Sequence, residues 1–169
     1  MKVILLMAVT ADGKIAKNSS HPATWTSKAD KKIFVEETKK AGVIIMGQAT
    51  YDTIGRPLPG RLNLVMNPEP DIVKNIPGSL EFTNTQPKEL IAELEKRGFT
   101  SVIIGGGATI NGLFLRENLI DEIWLTIEPK LFGDGLALFK NVDVDVNLEL
   151  LEVKNLDKNV LQLRYRIIK

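Results

Sequence analysis

Residues 101–115 read SVIIGGGATINGLFL. An apolar, β-branched run stops at three successive glycines, and the chain resumes with residues spaced for a helix. The stretch predicts a strand at Val102 to Ile104, a tight turn, and a helix from Ala108 to Asn118. Glycine has no Cβ, so backbone N–H groups at Gly105, Gly106 and Gly107 can approach a phosphate, and the next helix offers its positive N-terminal end. The same glycines serve equally well as a strand-to-helix turn with no ligand. The triplet is not the dinucleotide fingerprint, because Ile110 stands where G-x-G-x-x-G needs its third glycine, and no Gly-Lys-Ser/Thr follows to make a P-loop.

The same rhythm recurs along the chain. Apolar runs at Val3 to Val9, Val43 to Met46 and Leu62 to Met66, the last broken only by Asn63, suit strands buried on both faces. Helical periodicity occupies Lys28 to Ala41 and Pro87 to Arg97, with a short helix or turn around Ala49 to Thr53. Strand, helix and strand in alternation predict an α/β fold, a mixed but mostly parallel sheet with helices on both faces. The tail differs: Glu122 to Ile127, Leu148 to Val153 and Leu161 to Ile168 read as strands, the last two forming an antiparallel hairpin around a turn at Asn155 to Asn159.

The 169 residues suit one domain spanning positions 1–169, with no linker or repeat to divide it. Twenty-two basic and twenty-one acidic residues give a net charge of +1, no field for a nucleic-acid backbone or an anionic membrane. Partners are therefore expected to be small molecules. With no cysteine and one histidine, His21, a disulfide framework, a thiolate nucleophile and a metal site are not expected. The opening MKVILLMAV reads as a first strand rather than a signal peptide, and no segment has the apolar length of a membrane span. The expected location is the cytoplasm.

Two local features carry chemistry. In TSKADKKIFVEETKKAG the core-facing stripe of Ile33, Phe34, Glu37 or Thr38, and Ala41 extends back to Asp30, so an acid points inward. Ser27 followed three residues later by Asp30 also matches a capping box, in which the carboxylate merely finishes a helix end. The other reading is a half-buried acid that pairs with the planar N–H edge of a heterocycle. Trp25 lies beside it at the helix entrance. Residues 54–61, IGRPLPGR, place two prolines and two glycines between Arg56 and Arg61, a stiff loop able to hold a cation still.

MGQATYDTIGRPLPGR, WTSKADKKIF and IIGGGATI, in this order and spacing, resemble dihydrofolate reductase over most of the chain. GGGATINGLFLRENLIDEIWLTIEPKLFGDGLALF, with DGKIA near the start, resembles the reductase domain of riboflavin biosynthesis, which shares the fold. The resemblance implies a dihydrofolate-reductase-like three-layer fold and NADPH-dependent reduction of dihydrofolate by a monomer or homodimer. It makes Asp30 the pterin-binding acid, with Thr126 in its hydrogen-bond network and Trp25 at the catalytic centre. Ala8, Phe34, Ile54 and Leu58 would pack on the substrate, and Arg61 would grip the carboxylate of its glutamate tail. Arg56 would be a structural or solvent-facing member of the same loop. Cofactor contacts would come from Ala8, Ile15, Ala16, Gly47, Gln48, Ala49, Thr50, Asn67, Ile104, Gly105, Gly106, Gly107, Ala108, Thr109 and Ile110. The segment from Ala16 to Trp25 would close over the nicotinamide, braced by the loop at Asp134.

Some positions depart from the pattern. Gln48 stands where an arginine usually meets the 2′-phosphate, Lys31 replaces an apolar pocket residue, Ile110 replaces a tyrosine, and the closing loop KNSSHPATW is about two residues longer. His21 within it is read as a solvated loop residue. The alternatives are a 5-amino-6-(5-phosphoribosylamino)uracil reductase and a catalytically silent nucleotide-binding module.

Overall fold

The computed structural model describes all residues from Met1 to Lys169. Its elements in chain order are β1 (Lys2–Thr10), β2 (Lys14–Ala16), α1 (Lys28–Ala41), β3 (Val43–Gly47), α2 (Gln48–Ile54), β4 (Leu62–Met66), β5 (Leu80–Thr83), α3 (Pro87–Lys96), β6 (Ser101–Ile104), α4 (Ala108–Arg116), β7 (Glu122–Glu128), β8 (Leu136–Ala137), β9 (Leu148–Asp157) and β10 (Val160–Ile167). Short 3₁₀ turns lie at Ala23–Trp25 and Ile72–Lys74. Eight strands form one sheet in the order β5-β4-β3-β6-β1-β7-β10-β9. The first six run parallel, and β10 is antiparallel to both neighbours.

The apolar runs are explained by burial on both faces. In β1, Val3 and Leu5 join the core beneath α3 and α4, while Ile4 and Leu6 join the core on the face of α1 and α2. In β3, Val43 and Ile45 take the first side and Ile44 and Met46 the second. Each such side chain contributes about 1.5–3 kcal/mol of transfer free energy, so strands filled on both sides are mostly apolar.

Helix α1 spans the residues its periodicity predicts and stops at Gly42, which is left-handed with φ of 77°. The hairpin is tighter than the sequence suggests. β9 continues to Asp157, which pairs with Val160, because a bulge between Val160 and Leu161 keeps the ladder in register past Asn155. The periodicity also misses β5, and β2 with β8, a two-stranded ribbon too short for a pattern. No helix is long and apolar enough to cross a membrane.

Chain order determines where a ligand fits. After β1 the chain passes to β3, β4 and β5 on one side, returns to insert β6 beside β1, then adds β7 on the other side. In such sheets the crevice opens at the C-terminal ends of the strands where the winding reverses.

Candidate active site

A cavity of about 570 Å³ lies at that end, of the size that suits a small ligand. Its floor is Met7 and Ala8 of β1, with Gly47 at the end of β3, Met66 of β4, and Gly105 and Gly107 after β6. Its walls carry Asp30, Lys31 and Phe34 of α1, Ile54 and Leu58, the closing-loop residues Ile15, Ala16, His21 and Trp25, and Gln48, Ala49, Thr50, Ala108, Thr109 and Ile110. These are most of the positions singled out in the sequence.

The glycine side is built from backbone. Gly105 N–H donates to the Ile45 carbonyl and Gly47 N–H to the Gly106 carbonyl, both at 2.8 Å, so the ends of β3 and β6 are tied together. A Cβ on Gly105 would stand 2.7 Å from Ile44 Cδ1, which explains the glycine by close packing. Gly106 has φ of 96°, and a Cβ there would meet Met7. No side chain caps the start of α4, so its first N–H groups are left for a ligand or solvent.

The acid side is built from side chains. Asp30 is only 9% exposed, yet it stands on the cavity wall. Its own N–H donates to Ser27 Oγ at 3.1 Å, so half of the expected capping box forms. The other half does not: Ser27 N–H donates at 2.8 Å to Glu128 Oε1, from β7, instead of to Asp30. Burial raises the Asp30 pKa above its ordinary value; the Thr126 and Thr26 hydroxyls oppose the rise, the Glu128 charge adds to it, and Lys31 works against it. Thr126 is fully buried beneath the wall, near enough to favour the charged carboxyl, but its Oγ1 completes no hydrogen bond of good geometry. Across the ladder, Gln162 is paired with Thr126 and equally buried, and its Nε2 is also without a partner.

Several expected residues lie off the wall. Arg61 is 6% exposed and turns into the protein: it donates to Thr38 Oγ1, and its Nε and second terminal nitrogen reach the Pro59 carbonyl at 3.2 and 3.0 Å. Burial lowers its pKa, and no carboxylate of the chain pairs with it. Arg56 is exposed. The stiffness of the loop between them also has a source the sequence reading missed, for Asn63 of β4 is completely buried and bonds both the N–H and the carbonyl of Leu58 at 2.9 Å. Asn67 donates to Gln48 at 3.2 Å behind the wall, while Ile104 and Gly106 are buried under it.

The closing loop is braced by the loop at Asp134, though not by Asp134 itself, which is exposed. Asp12, ahead of the closing segment, holds that bracing loop, accepting from Phe132 N–H at 3.2 Å and from Gly133 N–H at 2.7 Å. Phe132 then packs on Trp25 and His21, with ring centroids 5.0 and 5.2 Å apart. His21 is thus a packed cavity residue, not a solvated one. Glu128 and Gln162 were missed as well, although Glu128 lies two positions from Thr126 and period two places both on one face of β7.

Fold and cavity define a dihydrofolate-reductase-like α/β protein with an acid and an uncapped glycine turn facing one crevice. The model of the RibD C-terminal domain matches residues 1–60 and 61–162, and the chain belongs to that family of oxidoreductases. A dihydrofolate reductase of Buchnera aphidicola is 31% identical over 135 residues, which cover 79% of this chain and 76% of the relative. Among solved structures, a Thermotoga maritima diaminohydroxyphosphoribosylaminopyrimidine deaminase/5-amino-6-(5-phosphoribosylamino)uracil reductase superposes with a TM-score of 0.83 at 17% identity, over 99% of this chain and 56% of that longer one. A dihydrofolate reductase of Enterococcus faecalis solved with NADP(H) gives 0.75 at 23% identity, over 99% and 97%. Both likenesses are of fold.

Proposed function

We propose that this chain reduces 7,8-dihydrofolate to 5,6,7,8-tetrahydrofolate with NADPH. The observation that carries the reading is Asp30, a buried acid on a cavity wall that accepts no bond from a cation or from its own helix end. Leaving a buried charge unpaired is costly, so such an acid is kept where a ligand completes its hydrogen bonds. A pterin offers a matching edge, its 2-amino group and N3, which a carboxylate takes in two-pronged geometry. Thr126 Oγ1, unpartnered behind it, can join that network.

The residues at the other side fit a dinucleotide phosphate. Gly105 and Gly107 keep the turn free of side chains, and the uncapped N–H groups of Ala108 and Thr109 favour an anion there. NADPH, when bound, supplies the hydride that goes to C6 of the pterin. The chain's part is to align the ring against it, with Phe34, Ile54 and Leu58 beside the ring and Asp30 fixing its rotation. The proton for N5 comes from a water, and the Asp30 carboxylate, held against the ring, favours the protonated ring by its charge. Trp25 and His21, packed on Phe132, close the crevice against bulk solvent.

One observation favours the second reading, a 5-amino-6-(5-phosphoribosylamino)uracil reductase. Arg61 is turned inward, while Lys31 stands on the wall, where its ammonium, now 3.1 Å from the Thr24 carbonyl, could meet a phosphate. The deciding assay follows NADPH absorbance with purified protein and each substrate. Consumption with dihydrofolate is expected. Consumption only with the ribosylaminopyrimidine phosphate reverses the order, and none with either, despite NADPH binding, leaves a silent nucleotide-binding module.

A further inference from the structure

We propose that Glu128 is a positioning residue that holds Asp30 in the cavity, by taking from the neighbouring strand the backbone amide that Asp30 would otherwise cap. The inference rests on the reading of Asp30 as the acid that meets the substrate.

In a capping box the residue at the third helical position reaches back to the N–H of the cap residue. Here the cap is Ser27 and the third residue is Asp30, and the forward bond is present at 3.1 Å. The return bond would draw the Asp30 carboxylate out of the cavity onto its own helix end, a favourable place for an anion. That place is taken. Glu128, 2% exposed, crosses from β7 and accepts Ser27 N–H at 2.8 Å. The amide is satisfied by a charge-assisted bond, so turning away from the cavity would gain Asp30 nothing.

The arrangement is set by strand register. Thr126 and Glu128 occupy alternate positions at the end of β7, and Lys130 follows two residues beyond it. Thr126 lies beside the Asp30 carboxyl, Glu128 holds Ser27 N–H, and Lys130 Nζ donates to the Trp25 carbonyl at 3.0 Å. Two same-face positions of the strand and one residue just past its end thus meet the entrance of α1 at three points and fix its first turn against the sheet. The charged groups acting on Asp30 are Glu128 from β7 and Lys31 from α1, of opposite sign. A buried carboxylate placed next to another is unfavourable for stability alone, which is why a positioning role accounts for Glu128 better than a structural one.

The test uses Glu128→Ala and Glu128→Gln in the full chain without ligand, with the Asp30 carboxyl followed by ¹³C NMR against pH and assigned by its loss in Asp30→Asn. In Glu128→Ala the freed amide draws Asp30 to the helix end and a like charge is gone, so the carboxyl should titrate at lower pH than in wild type. In Glu128→Gln the amide keeps an acceptor and only the charge is lost, so the shift should have the same direction and be smaller. With dihydrofolate and NADPH, kcat of Glu128→Ala should fall roughly 10- to 100-fold, and that of Glu128→Gln by less, since misplacement of an aligning group is what costs rate. An Asp30 titration in a folded Glu128→Ala protein that is unchanged, or shifted no further than in Glu128→Gln, overturns the proposal; if that variant does not fold, Glu128→Leu, which fills the space without an acceptor, takes its place in the same comparison. A wild-type protein inert toward dihydrofolate overturns the functional reading instead, and the titration still decides the role of Glu128.

Discussion

The glycine turn after β6 and the acid at the start of α1 face one cavity, but they are built in opposite ways. At the turn, recognition is left to the backbone: Gly105 packs where a Cβ would meet Ile44 at 2.7 Å, and α4 begins without a cap. At the acid, recognition is left to one side chain, and the contacts around it come from β7, about a hundred residues away in sequence, as the Ser27 to Glu128 bond shows. The first half depends on local chain geometry, the second on where a distant strand is placed. A local site fails by steric intrusion, and a non-local one by loss of charge or register.

The acid half should give the largest effect. Asp30→Asn is expected to lower turnover of dihydrofolate roughly 100-fold at neutral pH, and much less at acidic pH where the ring is already protonated, as read from a pH profile of kcat. Equal losses at both would remove the acid from the chemistry. The same variant has a stability signature of opposite sign. Burial raises the pKa of Asp30 above 3.8, so the folded protein holds the proton more tightly than the unfolded chain, and stability falls as pH climbs from 3.8 toward the folded value. Asp30→Asn should therefore melt higher than wild type at neutral pH and converge with it below pH 3.8.

The glycine half should break next. Gly105→Ala places a methyl against Ile44 and is expected to cost about 1–3 kcal/mol in denaturant unfolding, with weaker NADPH binding in fluorescence titration. Undiminished affinity would mean that the turn is only a turn. Arg61→Lys sharpens the contrast within one loop. A point charge cannot keep the bonds to both Thr38 and Pro59, so Arg61→Lys is expected to cost about 1–2 kcal/mol in denaturant unfolding with KM for dihydrofolate little changed. A KM raised several-fold at unchanged stability would return Arg61 to the substrate. The smallest effect belongs to exposed Arg56, where Arg56→Ala should stay within about 0.5 kcal/mol of wild type in chemical unfolding.

Legibility followed the same division. The parallel strands other than β5, α1 to the residue, and the glycine turn were readable because apolar runs, periodicity and glycine act over a few neighbours. The inward face of Asp30 was readable for that reason too. The ribbon of β2 and β8 was not, since three residues carry no period, nor was the brace from Asp12 to Gly133, which spans 121 positions. For Arg61, spacing showed a rigid loop but not the direction of the guanidinium, which is decided by Thr38 on a helix 23 positions earlier.

The sequence by itself determined the layered α/β fold, the side-chain-free turn, and an acid on the inner face of the first helix, because each is dictated by the intrinsic preferences of adjacent residues. Only the tertiary structure decided that this acid stays free for a ligand, that Thr126 and Gln162 lie buried beside it, and that Arg61 turns away from the wall. Those outcomes depend on which strand ends beside which helix, and hydrogen bonds between distant segments leave no pattern along the chain.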